Sequence, residues 1–439
     1  MIKRFLLAAT LVVSVGSWLF AANDMITDQP NSKSDFDTNE TYRIKIKDRV
    51  AAGYGHPLLK EWGYYTEQKF SVMEPAKASE NPPMLVYLHS ANGFDYPCVP
   101  DVGDIGPEFV LLFLNCGGAH GVDGWWGWDA VKKDPVKYAT VYSLGENRIL
   151  ASIDWVARKY TVDRNRIYLC GHSMGGSGTL GIGMARGDIF AAIMAGVPAG
   201  VDHAWHRLGL PGRKPPKAGS PPDPDAPAAD SVAQLRKVSA YGLPDPPVVL
   251  NFSSQTDSWS EGQEQLLKAM HDGRMMTVFC WAPFGHVHEY PTANPAALEF
   301  PWLQIRKDQA YPVFTNASTD QKFPGTYSKE PDQAGQINAY FRWKNLTDAP
   351  NKFQIELFLV DGKGLKKNMD VPVSSMADVT MRRLQKFKIM EGATYSWQVS
   401  QDGKSIQAGT ARADEAVLLT VPRVTVTSRP AILTLEPVR

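Results

Sequence analysis

Between the run Arg166-Ile167-Tyr168-Leu169-Cys170 and the glycine-rich segment Gly175 to Arg186, the chain carries Gly171-His172-Ser173-Met174-Gly175. The first run reads as a short strand in an alternation of strands and helices. The segment after it reads as a helix. The serine therefore falls at a sharp strand-to-helix turn, and the glycines on either side let strand and helix approach closely. Gly176 and Gly178 extend that clearance.

The turn sits inside a longer alternation. Met84 to Leu88 and Phe109 to Leu114 are further buried-strand runs, and Gly145 to Tyr160 places Ile149, Ile153, Val156 and Tyr160 at helical spacing. Phe190 to Met194, Val248 to Phe252 and Thr277 to Trp281 follow as strands. Alternating strands and helices from about residue 41 to 305 predict a mainly parallel α/β sheet with helices on both faces. Residues 211–227 are too dense in proline for either element and read as an extended insertion, a lid or a surface flap.

After Ile305 the pattern changes to period two. Gln336 to Trp343, Phe353 to Val360, Thr394 to Val399 and Val417 to Val426 alternate apolar with polar, separated by turn sequences such as DGKG and QDGK. This predicts a second, all-β sandwich domain over 308–439. Its aromatics Tyr340, Trp343, Tyr395 and Trp397 lie within predicted strands, where core packing is the expectation.

At the other end, Met1-Ile2-Lys3-Arg4 precedes an uncharged stretch from Phe5 to Phe20, the layout of a signal peptide over 1–22. Leu19 or Phe20 would occupy the −3 position, where a small residue is favoured, so an uncleaved N-terminal anchor is the alternative. Either implies a secreted or periplasmic body. Residues 23–40 are polar and aperiodic, and read as a linker. No later stretch has the length of a membrane span. Lys plus Arg and Asp plus Glu are 46 each, so no net field favours nucleic acid.

The serine turn also carries chemistry. G-x-S-x-G by itself recurs by chance, but between a strand and a helix it is the setting of a nucleophile elbow. RNRIYLCGHSMGGSGT, preceded by a helix ending in ARKYTVD, resembles the α/β-hydrolase family. Within it, the match is to the secreted feruloyl/acetylxylan esterase and polyhydroxybutyrate-depolymerase-like branch. Gly124-Trp125-Trp126-Gly127-Trp128 and Gly145-Glu146 are similar to segments common in that branch. The resemblance covers roughly residues 60–300 and leaves the sandwich unexplained.

A serine nucleophile needs a base, and the base needs an orienting acid, in the chain order Ser, Asp, His for this fold. The acid is expected after a late strand, which makes it Asp257 in Ser253-Ser254-Gln255-Thr256-Asp257; Asp245 and Asp272 are alternatives. Relatives usually show glycine where Ser254 stands. The resemblance places the base at His286, in a Gly-His pair after the last strand, with His288 as the competing choice. Oxyanion donors are expected from the Met174 amide and from Ala91, in the loop His89-Ser90-Ala91-Asn92-Gly93. His89 then buttresses the loop.

Trp125, Trp126 and Trp128 are candidates for an aromatic wall that binds substrate, packing under a loop being the alternative. Asp202, His203 and His206 lack a further ligand nearby, so no metal site is expected, and the chemistry calls for no cofactor. Cys98 and Cys116 are placed where a disulfide is compatible with an oxidising compartment, whereas Cys170 and Cys280 read as buried thiols.

The expected function is a serine ester hydrolase working through an acyl-enzyme. The resemblance implies acyl or feruloyl esters of polysaccharide, or a related polyester, as substrate. Two alternatives remain. One is a peptidase of the prolyl-oligopeptidase branch, although the short linker is no room for the propeller that branch usually carries. The other is a non-catalytic carbohydrate-binding protein on a hydrolase fold.

Overall fold

The computed structural model describes residues 40–46, 49–55, 69–91, 105–114, 125, 144–184, 186–198, 245–257, 263–287, 290, 292–325 and 334–438. The leader-like segment, the proline-dense insertion, Cys98 and Cys116 lie outside the described residues.

The first nine strands are β1 (Glu40–Ile46), β2 (Arg49–Gly55), β3 (Lys69–Met73), β4 (Met84–Leu88), β5 (Val110–Leu114), β6 (Ile167–His172), β7 (Ala192–Gly196), β8 (Val248–Ser254) and β9 (Thr277–Ala282). Next come β10 (Tyr311–Thr315), β11 (Gly335–Ile337), β12 (Phe341–Ala349), β13 (Lys352–Leu359) and β14 (Ser374–Arg382). The last are β15 (Thr394–Gln401), β16 (Lys404–Arg412), β17 (Thr420–Thr427) and β18 (Ala431–Pro437). The helices are α1 (Leu144–Lys159), α2 (Met174–Gly183), α3 (Gln263–Asp272) and the single turn α4 (Pro295–Leu298).

A ten-stranded sheet runs in the order β1-β2-β3-β5-β4-β6-β7-β8-β9-β11. From β5 to β9 neighbours are parallel, and β1, β2, β3 and β11 are antiparallel additions at the edges. This is the α/β-hydrolase architecture. The chain leaves β4 toward β5 on one side, then returns through α1 to β6 on the other side of β4. Strand order thus reverses between β4 and β6, the kind of switch point at which open α/β sheets carry their sites.

The two faces of this sheet are covered differently. Val86, Leu112, Leu169, Ile193 and Val249 share a core with Ile149 and Ile153 of α1, Leu180 of α2 and Leu266 of α3. Leu85, Tyr168, Leu250 and Val278 share the opposite core with Ala296 of α4, Val313 and sandwich residues such as Phe341 and Leu433. Among the described residues, the sandwich therefore closes the face that α1 to α3 leave open.

The sandwich itself pairs a three-stranded sheet, β10-β14-β17, with a five-stranded one, β12-β13-β18-β15-β16. Phe314 and Phe341 stack at 4.1 Å between them, and Phe353, Ile355, Leu433 and Leu435 are buried. Tyr395 is buried in the same core, in keeping with period-two alternation. The strand expected from Gln336 to Trp343 is divided. Asn338 takes φ 59°, and Gly335–Ile337 pairs with β9 while Phe341–Ala349 begins the sandwich. Asn338 holds this break by donating to the carbonyls of Thr277 and Phe314. Period two continues on both sides of such a break, so the pattern does not reveal which sheet each half joins. Among the described residues, no helix is long and apolar enough to cross a membrane.

Candidate active site

Ser173 directly follows β6, at this switch point. Its backbone has φ 56° and ψ −119°, a left-handed strain that a non-glycine residue adopts only when its surroundings impose it. Those surroundings are visible. A Cβ on Gly175 would lie 1.9 Å from the Leu88 carbonyl oxygen, and one on Gly176 would lie 2.5 Å from that of Gly196. The Ser173 amide donates to the Gly196 carbonyl at 2.8 Å, which anchors the turn to β7. Ser173 is the N-cap of α2, and its side chain makes no capping hydrogen bond to the helix amides.

Two loops from the far side of the sheet complete the site. Beyond β8, Asp257 is buried; beyond β9, His286 follows Gly285, which takes φ 69°. His286 Nε2 is 2.6 Å from Ser173 Oγ, and His286 Nδ1 is 2.7 Å from Asp257 Oδ2. The side chain of His286 is 41% exposed and that of Asp257 is 6% exposed. The acid is shielded while the imidazole stands where a substrate would approach. A continuous line of hydrogen bonds thus joins hydroxyl, imidazole and carboxylate.

The alternative acids are placed elsewhere. Asp245 accepts from Arg382 and from the Arg383 amide at the domain seam. Asp272 lies at the end of α3 beside Lys268 and His271, whose hydrogen bonds hold its carboxyl below the usual range against desolvation. His288 lies outside the described residues.

On the β4 side, Ser90 Oγ donates to the His172 carbonyl at 3.1 Å, tying the loop after β4 to the serine turn. Ala91 follows as an exposed turn residue. Met174 occupies the first helical position, where an amide has no intrahelical acceptor.

Trp125 requires a correction. It does not line an aromatic wall, because it is 1% exposed. Its Nε1 donates to the His89 carbonyl at 3.0 Å, and its ring meets the edge of His89 at 4.8 Å. Its Cβ would be 2.6 Å from a Cβ on Gly178. The indole is wedged between α2 and the loop after β4, and so supports both. Trp126 and Trp128 lie outside the described residues, as do Asp202, His203 and His206. Among the described residues no cluster of His, Cys, Asp and Glu is arranged to hold a metal.

Two contributors escape sequence reasoning. Tyr290 Oη is 3.2 Å from His172 Nδ1, and its ring stacks on Phe252 at 5.0 Å, next to the point where His172 and His286 meet. Ser254 Oγ accepts from the Gly285 amide at 2.8 Å. The serine at a position usually glycine was the available signal for the second; for Tyr290 there was none.

The hydrolase sheet and the Ser–His–Asp line together define a serine hydrolase. Residues 147–206, from α1 through the serine turn and β7, match the model of the prolyl oligopeptidase family. Among curated proteins none matches this chain. Several solved structures are similar to it. An S-formylglutathione hydrolase from Agrobacterium tumefaciens is 16% identical, covering 57% of this chain and 92% of its own, with a TM-score of 0.40. The fluorophosphonate-binding serine hydrolase F of Staphylococcus aureus is 14% identical over 54% of this chain and 92% of its own, at 0.38. A ferulic acid esterase from Anaeromyces mucronatus is 16% identical over 57% and 90%, at 0.35.

Proposed function

We propose that the chain is an exported carboxylic ester hydrolase with Ser173 as nucleophile, His286 as general base and Asp257 as the orienting acid. The observation that carries the reading is the 2.6 Å contact of Ser173 Oγ with His286 Nε2, backed by the 2.7 Å contact of Nδ1 with Asp257. As Ser173 Oγ attacks the ester carbonyl carbon, its proton passes to His286 Nε2. Asp257 holds the tautomer that leaves Nε2 free to accept, and stabilises the imidazolium that forms.

The carbonyl oxygen gains charge in this step, and the amides of Met174 and Ala91 are the proposed donors to it. His286 then returns the proton to the departing alkoxide. A water attacks the acyl-enzyme with His286 again as base, which releases the acid and restores Ser173. The motif resemblance around residues 164–179 and 124–128 favours acyl or feruloyl esters on polysaccharide, or a related polyester. The leader-like first 22 residues favour export to the periplasm or medium.

A peptidase is the second reading, favoured by the prolyl oligopeptidase match over 147–206. The test is a fluorophosphonate probe with the adduct located by mass spectrometry, beside turnover of p-nitrophenyl acetate and chromogenic peptides. The ester reading expects a phosphonylated Ser173, lost in His286→Ala and kept in His288→Ala, with ester but not peptide turnover. Peptide cleavage without ester turnover would move the peptidase ahead. Absence of any adduct in folded protein would remove both in favour of a binding protein.

A further inference from the structure

The imidazole of His286 meets the ring of His172 at 5.6 Å but stands partly in the open. Its side chain is 41% exposed, and the preceding Gly285 has no atom within 4 Å of where a Cβ would project. Gly285 also takes φ 69°, a conformation that its own side chain does nothing to restrict. Yet a useful base must stay within hydrogen-bond reach of the nucleophile, and a displacement of about 1 Å costs about 100-fold in rate. A hydrogen bond to the backbone of this loop would help to fix it.

Ser254 is placed to do so. It ends β8, is fully buried, and lies three residues before Asp257. Its Oγ accepts from the Gly285 amide at 2.8 Å and from the Thr256 amide at 3.3 Å, and lies 3.2 Å from Thr256 Oγ1. A hydroxyl has two acceptor sites and one proton. With both acceptor sites taken by amides, its proton is left for Thr256 Oγ1, so the group is saturated with one orientation. The Ser254 carbonyl accepts from the Asp257 amide at 3.4 Å. One residue thereby grips the acid loop through its carbonyl and the base loop through its hydroxyl.

We propose that Ser254 is a positioning residue that sets the separation of His286 from Asp257 and Ser173 through the Gly285 amide. A glycine at this position would have no side-chain oxygen to offer that amide. The inference rests on the reading of Ser173, His286 and Asp257 as the reacting groups. Ser254 touches neither substrate nor the reacting atoms.

The test compares wild type, Ser254→Ala and Thr256→Ala by steady-state ester turnover, fluorophosphonate labelling and thermal melting. Ser254→Ala should lower kcat about 10- to 100-fold with KM within about twofold. Its rate of fluorophosphonate labelling at Ser173 should fall in step with kcat. Thr256→Ala leaves the Gly285 link in place and should keep kcat within about twofold. Should Ser254→Ala fail to fold, Ser254→Cys carries the same test: sulfur is the weaker acceptor, and an intermediate kcat is expected. Wild-type kcat and labelling rate in Ser254→Ala or, in its place, Ser254→Cys would overturn the inference alone. Equal losses in Ser254→Ala and Thr256→Ala would also overturn it, by showing general loop damage. A wild type that neither labels nor turns over ester would instead overturn the reading beneath it.

Discussion

Arg382, at the end of a sandwich strand, reaches 3.0 Å to Asp245, three residues before hydrolase strand β8. Its guanidinium is 1% exposed and also donates to the carbonyls of Gly273 and Arg274. Arg383 beside it donates to the carbonyls of Phe190, Ala191 and Pro246. Removing Arg382 takes the side-chain donor from a half-buried carboxylate, which keeps the Arg383 amide, and from the carbonyls of Gly273 and Arg274. Arg382→Ala should cost about 1–3 kcal/mol of stability in denaturant melts. Truncation after residue 308 would further expose the Leu85–Tyr168–Leu250 face and remove β11, so insoluble protein is the expected result. A soluble, active 1–308 fragment would contradict this account of the seam.

Asp257→Asn tests the proposed orienting acid. The amide can hold the ring yet favours the wrong tautomer, and kcat should fall about 10³- to 10⁴-fold with the melting temperature nearly kept. Stopped assays on p-nitrophenyl acetate would resolve the difference, and a loss under tenfold would speak against the role.

Gly175→Ala should be far more damaging than an ordinary glycine substitution. Its Cβ would meet the Leu88 carbonyl oxygen at 1.9 Å, and backbone at that position has no flexible end that could yield. Either β4 and β6 separate or the serine turn opens. Loss of soluble expression, or a fall of about 3 kcal/mol or more, is expected from expression trials and melts.

Trp125→Phe keeps most of the wedge and removes only the donor to the His89 carbonyl. Stability should fall by about 1–2 kcal/mol. Because the same loop carries Ala91, kcat should fall with it while KM changes little. Steady-state kinetics beside a melt would separate the two effects, and an unaltered kcat would mean that the loop holds without Trp125.

Burial pushes the Asp320 carboxyl up to about 7, against the single offsetting hydrogen bond from the Asn338 amide. Unfolded, the group ionises near its usual value of 3.8. Between these values the native state keeps a proton that the unfolded state has released, so this contribution to stability is lost as pH rises through the window. Asp320→Asn should leave melting near pH 4 almost unchanged and raise it by about 2 °C or more at pH 8. An equal shift at both pH values would exclude ionisation as the cause.

Much of the hydrolase half could be read from the chain. Apolar runs such as Met84 to Leu88 are strands because only burial on both faces tolerates them, and α1 falls one residue from its expected limits. The strain at Ser173 was likewise written in its flanking glycines. Local pattern determines such elements because each is decided by neighbours a few residues away.

What the sequence could not supply was everything set by distance along the chain. Asp245, Asp257 and Asp272 all stand near late strands, and only the folded sheet sends one of them to His286 and another to Arg382. Trp125 looks the same in sequence whether it lines a cleft or fills a wedge; Gly178 and His89 decided that it fills one. The sandwich announced its strands through period two, but not that it would close a face of the hydrolase sheet or lend it β11. A strand's alternation records that one side is buried and says nothing of what buries it, so the partner is chosen only when the whole chain packs.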